Sequence, residues 1–168
     1  NNVPTTIEKA GITYETLKEI NPRLIMLRMP AYGLSGPYKG YRAFGTHVEA
    51  MIGHHYIRGY PDGTPDETGE AFTADAFAGL LGATAITAAL RYRDTTGEGQ
   101  QIEMPLAEGF LPNLGEFILD FEMNGRVAGP QGNTHHSHAP HGVFPTSGDD
   151  QWIAIDVSED EEWFSLCE

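Results

Sequence analysis

Four histidines crowd one stretch of the chain, His135, His136, His138 and His141, and a further pair, His54-His55, stands adjacent. Imidazoles at this density could ligate zinc. Their spacing does not place them on one helix face, and no Cys or carboxylate stands in register with them. A polar loop flanked by glycine is the preferred reading, with no metal site and with the loop mobile or lying over an active site. Asp75 is the acid of interest, because it opens an Ala-rich apolar stretch. As an N-cap or first-turn acid it would stabilise a helix by about 1 kcal/mol. As a nucleophile it would stand beside helix amides that can hold an anion. Residue type and position alone favour the cap.

Other catalytic patterns are missing. Neither Gly-x-Gly-x-x-Gly nor the phosphate-loop pattern with its Lys occurs. There is no Gly-x-Ser-x-Gly nucleophile elbow, so Leu34-Ser35-Gly36 reads as a turn. Gly97-x-Gly99 reads as a helix-to-strand turn, and Cys167 stands too close to a helix end to be a convincing nucleophile.

The elements that would position these residues follow from periodicity. Residues Thr5 to Ile20 are amphipathic and predict a helix that Asn21-Pro22 stops. Leu24 to Leu27 is a short apolar run that fits a buried parallel strand. Tyr32 to Tyr38 is a loop of turn formers, Val48 to Ile52 could begin a helix, and Gly59 to Gly69 reads as an exposed loop.

Thr73 to about Arg93 is free of Pro and apolar on all sides, which predicts one buried helix. The small pairs Ala78/Gly82 and Gly79/Ala83 would let a neighbouring backbone approach, and Thr96-Gly97 ends the helix. Gln101 to Met104 predicts a strand beside Leu24 to Leu27, and Pro105 opens a helix reaching about Met123. Residues 142–145 and 151–157 predict a hairpin, and Asp160 begins a last helix. The order predicts an α/β fold that changes architecture near residue 125.

Composition narrows the classes of function. The chain has 168 residues, 40% of them hydrophobic, enough for a core of one domain or two small ones. Twenty-four acidic residues against 10 basic ones give a formal charge of −14, which disfavours nucleic acid and anionic membranes as partners. A single cysteine precludes an intrachain disulfide and suggests a reducing, cytoplasmic setting. Residues 1–20 hold no apolar leader region, and the apolar run from Ala76 to Leu90 falls short of the roughly 18–20 residues that span a bilayer. The opening at Asn1 and the barely begun last helix suggest a piece of a longer chain.

Several stretches, taken in order, carry a further signal. They are Asn21-Pro22-Arg23-Leu24-Ile25 with Tyr32-Gly33-Leu34-Ser35-Gly36-Pro37, then Gly59-Tyr60-Pro61-Asp62-Gly63, then Asp75 through Gly79 with Ala88 to Arg93 and Thr96 to Gln100. Gly132-Asn133 and Ala139-Pro140-His141-Gly142-Val143-Phe144-Pro145 complete the set. Together these stretches resemble class III CoA-transferases, the family of formyl-CoA and carnitine CoA-transferases and of the α-methylacyl-CoA racemases.

The resemblance implies residues 1–124 as the later half of a Rossmann-like CoA-binding domain and 125–168 as the start of a smaller α+β domain. It implies Asp75 as the catalytic aspartate. CoA contacts would fall on Asn1, Asn2, Val3 and Lys9 and on Ala43, Phe44, Gly45 and Thr46. Val3 departs from the Arg or Lys common in the family at its position. A substrate lid would fall on His135, His136, Ser137 and His138, a segment that lacks the glycines of the formyl-CoA transferase lid.

The implied reaction moves CoA from an acyl-CoA to a carboxylic acid through an aspartyl-CoA thioester. CoA would be a cosubstrate, with no resident metal or redox cofactor, and the full enzyme would be an interlocked homodimer. A 2-methylacyl-CoA racemase is the alternative within the family; its His-bearing position falls on Phe44, followed by Gly45, with His47 three residues on. A non-catalytic α/β fragment or binding subunit is the alternative of another class.

Overall fold

The fold is described from a computed structural model over residues 3–69 and 72–168. The contacts divide the chain into two units. The first takes residues up to His54 and then Gly69–Val127, and the second takes His55–Thr68 and Ala128–Glu168. The segment 55–68, which the sequence reading ran into the first domain, thus packs with the second.

In the first unit, α1 (Pro4–Lys9) and α2 (Tyr14–Ile20) replace the single helix predicted over 5–20. Gly11 takes φ +69°, and Thr13 caps α2 by accepting a hydrogen bond from the Thr16 amide, so the chain ends one helix and starts another. Strand β1 (Ile25–Arg28) follows, then α3 (Gly45–Met51); the short α4 (His54–Ile57) begins on the last residue of this stretch and runs on into segment 55–68. Helix α5 (Thr73–Thr96) runs 24 residues and ends on Gly97 at φ +82°. Strand β2 (Gln100–Glu103) pairs parallel to β1, with Ile25 opposite Gln100 and Arg28 opposite Glu103, the pairing expected of Gln101–Met104 beside Leu24–Leu27 to within one residue.

Gly99 sits where β2 enters against the turn before β1. A Cβ there would collide with the carbonyl oxygen of Leu24, and the Gly99 amide donates to the Pro22 carbonyl at 2.9 Å. The Thr-Gly-x-Gly-Gln run therefore ends α5 and permits this close backbone approach. The pairing continues past the strands, with the Leu106 amide donating to the Pro30 carbonyl at 3.0 Å.

The helix predicted from Pro105 to Met123 is broken. Helix α6 (Leu106–Phe110) passes through a tight turn at Leu111–Leu114, which contains Pro112, into α7 (Gly115–Asn124).

The core of this unit gathers Val48, Ala74, Ala78, Leu106, Ala107 and Phe110. Of the two small pairs on α5, Ala78/Gly82 meets the sheet, where a Cβ on Gly82 would come within 3.0 Å of Leu27 Cδ2. Gly79 faces open space. The expectation that α5 is buried all round is corrected: Ala74, Ala78, Gly82 and Ala89 are buried, while Leu80 is 68% exposed. An 18-residue window of α5 has a mean hydropathy of 1.4, so by length and composition alone this helix could cross a membrane. The 15-residue run counted in the sequence understated it, because the helix continues on both sides; here its small-residue face packs on β1 and α6.

The second unit is built on an antiparallel hairpin, β3 (His141–Pro145) against β4 (Trp152–Asp156), followed by α8 (Asp160–Cys167). The Thr146 amide closes the hairpin on the Gln151 carbonyl at 2.9 Å. Segment 55–68 is clasped into this unit. The Gly132 amide donates to the Gly59 carbonyl at 2.8 Å, and Asn133 Nδ2 donates to the Tyr60 hydroxyl at 2.9 Å. Two of the sequence stretches that carry the family resemblance, Gly59–Gly63 and Gly132-Asn133, therefore meet in space.

Candidate active site

Asp75 lies in the first turn of α5; the N-cap residue is Phe72, whose side chain makes no capping bond. The Asp75 carboxylate is exposed and rests on Gly45, the first residue of α3. A Cβ on Gly45 would overlap Asp75 Oδ2 and stand 2.7 Å from its Cγ. Two helix starts therefore converge on one carboxylate, whose negative charge both helix dipoles favour.

The site departs from the sequence reading at the amides. Ala74 N–H donates to Glu49 Oε1 at 2.9 Å, and Ala76 N–H donates to the Phe72 carbonyl at 3.1 Å. These two amides are committed inside the protein and do not point to a bound anion.

Beside the site runs a cleft of about 570 Å³ lined by Val3, Pro30, Ala31, Ala43 and Phe44, together with Tyr41, Arg42 and His47. It brings together Val3, Ala43 and Phe44 from two distant stretches expected to touch CoA. Gly45 is buried on the Asp75 side, and Thr46 is half-buried in the first turn of α3. Lys9 is exposed at the end of α1 and does not line the cleft. Asn1 and Asn2 lie outside the described residues.

Arg42 is a cation on the cleft wall that the sequence reading did not single out. His47 folds its ring back so that Nδ1 accepts from the Phe44 amide at 3.2 Å, which caps α3.

Glu49 was also missed. It is fully buried, and its second oxygen meets His54 Nδ1 at 2.7 Å. The His54 ring stands edge-on to Phe110 with centroids 5.0 Å apart. An acid set among Val48, Ala50, Met51 and Ile52 was the available signal, since an acidic residue in an apolar helical stretch must find partners.

In the second unit the loop histidines stack. His135 lies 4.4 Å from His136 and 4.0 Å from His138 between ring centroids, and 5.4 Å from His141. His138 Nδ1 meets Asp156 Oδ1 at 2.7 Å, and His141 Nδ1 donates to the Asn133 carbonyl at 2.7 Å. His135 Nδ1 accepts from the Ser137 amide at 3.3 Å. Desolvation holds the His135 imidazole below its ordinary pKa, helped by the charges of His138, His136 and His141 and opposed by Asp156. Among the described residues no group of three or more His, Cys, Asp or Glu is arranged to hold a metal ion.

Known proteins share this arrangement of sequence and fold. The chain is 38% identical over 165 residues to the succinyl-CoA–L-malate CoA-transferase beta subunit of Chloroflexus aurantiacus, covering 98% of this chain and 40% of that protein. It is 34% identical to the succinate–glutarate CoA-transferase of Agrobacterium fabrum, covering 96% and 40%. A crystal structure of a CAIB/BAIF family protein from Brucella suis superposes with a TM-score of 0.87 at 31% identity, over 99% of this chain and 43% of that one. The chain thus spans about two-fifths of the length of these relatives. The profile of CoA-transferase family III matches residues 1–168, the whole of this sequence, and the chain belongs to that family.

Proposed function

We propose that this chain carries the nucleophile and part of the CoA-binding surface of an enzyme that moves CoA from an acyl-CoA to a carboxylic acid. The observation that carries the reading is the Asp75 carboxylate, exposed at a helix start and seated on Gly45 beside the cleft of Val3, Ala43 and Phe44. The relatives' names, all CoA-transferases acting with carboxylic acids, support the same reaction class.

Asp75 attacks the donor thioester carbonyl, forming a mixed anhydride and expelling CoA thiolate. The thiolate attacks the aspartyl carbonyl and releases the donor carboxylate, leaving an aspartyl-CoA thioester. The acceptor carboxylate then attacks that thioester, giving a second anhydride and thiolate. The thiolate attacks the acceptor's carbonyl, and acceptor-CoA leaves with Asp75 restored. Water must be kept out, because it would hydrolyse either anhydride. Arg42 gives the cleft a cation for a CoA phosphate. CoA enters as a cosubstrate, and no step requires a metal or redox cofactor.

In this reading the first unit belongs to a Rossmann-like CoA-binding domain, and His135–His138 keeps the role of a substrate lid that the family resemblance implies. The full protein works as a cytoplasmic homodimer with interlocked chains. The racemase reading requires an imidazole opposite the aspartate. Phe44-Gly45 occupies the adjoining position and His47 is turned back onto the Phe44 amide, which favours transfer.

The test uses the full-length enzyme. Asp75→Asn should abolish transfer while CoA still binds, and hydroxylamine trapping during turnover should mark Asp75. Retention of more than about a tenth of wild-type turnover, a barrier change below ~1.4 kcal/mol, would reduce Asp75 to a first-turn helix acid. Deuterium uptake from labelled water at the α carbon of a 2-methylacyl-CoA, without an acceptor acid, would favour the racemase instead.

A further inference from the structure

We propose that Glu49 is a positioning residue for the nucleophile: buried in α3, it grips the amide next to Asp75 and thereby fixes where the attacking carboxylate stands. The inference rests on the reading of Asp75 as nucleophile. Gly45 and Glu49 lie one turn apart on one face of α3. Their counterparts on α5 are consecutive. Gly45 receives the Asp75 carboxylate, and Glu49 Oε1 accepts from the Ala74 amide at 2.9 Å. Two adjacent residues of α5 are thus registered against two points of α3.

The arrangement is unusual for a helix start. The first amides of a helix lack intrahelical acceptors and are generally capped by a nearby side chain. Here Phe72 supplies no such bond, and the acceptor comes from 25 residues earlier in the chain. A fully buried carboxylate is costly unless its oxygens are satisfied. Glu49 meets that demand with the Ala74 amide on one oxygen and His54 Nδ1 on the other, at 2.7 Å. Ala74 and Val48 are themselves fully buried, so the contact has no room to slide. A local N-cap would close the helix end without tying it to α3; this one does both. Catalysis by direct attack is sensitive to such placement, since a shift of about 1 Å in a reacting group can cost roughly a hundredfold in rate.

The experiment uses the full-length enzyme with an acyl-CoA and a carboxylate it turns over. Active sites are counted by trapping the aspartyl intermediate, so that kcat is read per active site. Glu49→Ala should lower that kcat at least tenfold with KM for acyl-CoA unchanged within twofold. Glu49→Gln should restore kcat to within about threefold, because the amide can still accept from Ala74 and donate to a re-tautomerised His54. Should Glu49→Ala fail to fold, Glu49→Asp, too short to reach both the Ala74 amide and His54, should show the same tenfold loss. A wild-type kcat in the truncated variant would overturn the proposal. So would a loss expressed only as fewer active sites or a higher KM, which is what a merely structural role predicts. Asp75→Asn runs alongside as the control. Turnover by that variant breaks the nucleophile reading itself, whereas a dead Asp75→Asn with unaffected Glu49 variants breaks only this inference.

Discussion

Each unit of the molecule holds a histidine against a carboxylate at the same separation. Glu49 meets His54 at 2.7 Å in the first, and Asp156 meets His138 at 2.7 Å in the second. What differs is the surroundings. The Glu49 side chain is 0% exposed and His54 16%, whereas Asp156 is 58% exposed and His138 29%. Where water reaches both groups it solvates them already, so the exposed contact adds little. Inside the core neither oxygen of Glu49 has an alternative partner in water, so the contact dictates where α3 and α5 sit. Distance alone therefore does not rank the two; desolvation does.

The comparison can be broken first at its strong end. His54→Ala takes from a buried carboxylate the ring that meets it at 2.7 Å and opens space beside Phe110. Denaturant unfolding should show a loss of about 3 kcal/mol, near the lower end of what such truncations cost. A loss below about 1 kcal/mol would make the buried pair no different from the exposed one.

Gly45→Ala probes the same surface without touching the pair. Its methyl would occupy the space of the Asp75 carboxylate, which must turn away. Turnover should fall about a hundredfold, ~2.7 kcal/mol of barrier, while thermal stability changes far less. Equal activity would show that Asp75 does not act from its observed position.

At the weak end, His138→Ala should change stability by less than about 1 kcal/mol, read by the same unfolding experiment. A larger loss would mean that the hairpin depends on this contact.

The smallest effect concerns pH. Because the folded state holds His135 below its ordinary pKa, the unfolded chain binds more protons as the solution is acidified. The second unit should therefore lose stability as pH falls below the unfolded imidazole value of about 6.5, levelling off once pH passes below the folded value. Titration of the His135 ring by NMR should give a midpoint below that of a denatured sample. A midpoint above it would reverse the sign.

Sequence reasoning reached these regions unequally. Helix α5 and β1 were legible because long or apolar stretches carry their own signal, and Gly97 and Gly99 mark the turn from helix into β2. The breaks at Gly11 and Pro112 were not, since both lie in patterns that read as one continuous helix. Burial of α5 was overstated because periodicity says which residues avoid water, while the neighbours decide which succeed; Leu80 does not. Asp75 could be found from its position at a helix start together with the family resemblance. Glu49 offered only the signal of an acid in an apolar stretch; its partner, an amide 25 residues away, is brought near only by the folded chain. The histidine spacing was visible, but nothing in it foretold that the rings stack on one another.

The clasp between Gly59-Tyr60 and Gly132-Asn133 has a temporal consequence. The second unit is discontinuous, interrupted by residues 69–127 of the first. A chain emerging from the ribosome presents Gly59 long before its partner exists, and joining them closes a long loop at an entropic cost that local contacts avoid. The second unit is thus expected to finish late, and until then segment 55–68 lacks the partners that clasp it. In pulse-labelled refolding the Gly132 amide should gain protection after the amides of α5; protection before them would mean that the clasp forms as a nucleus instead.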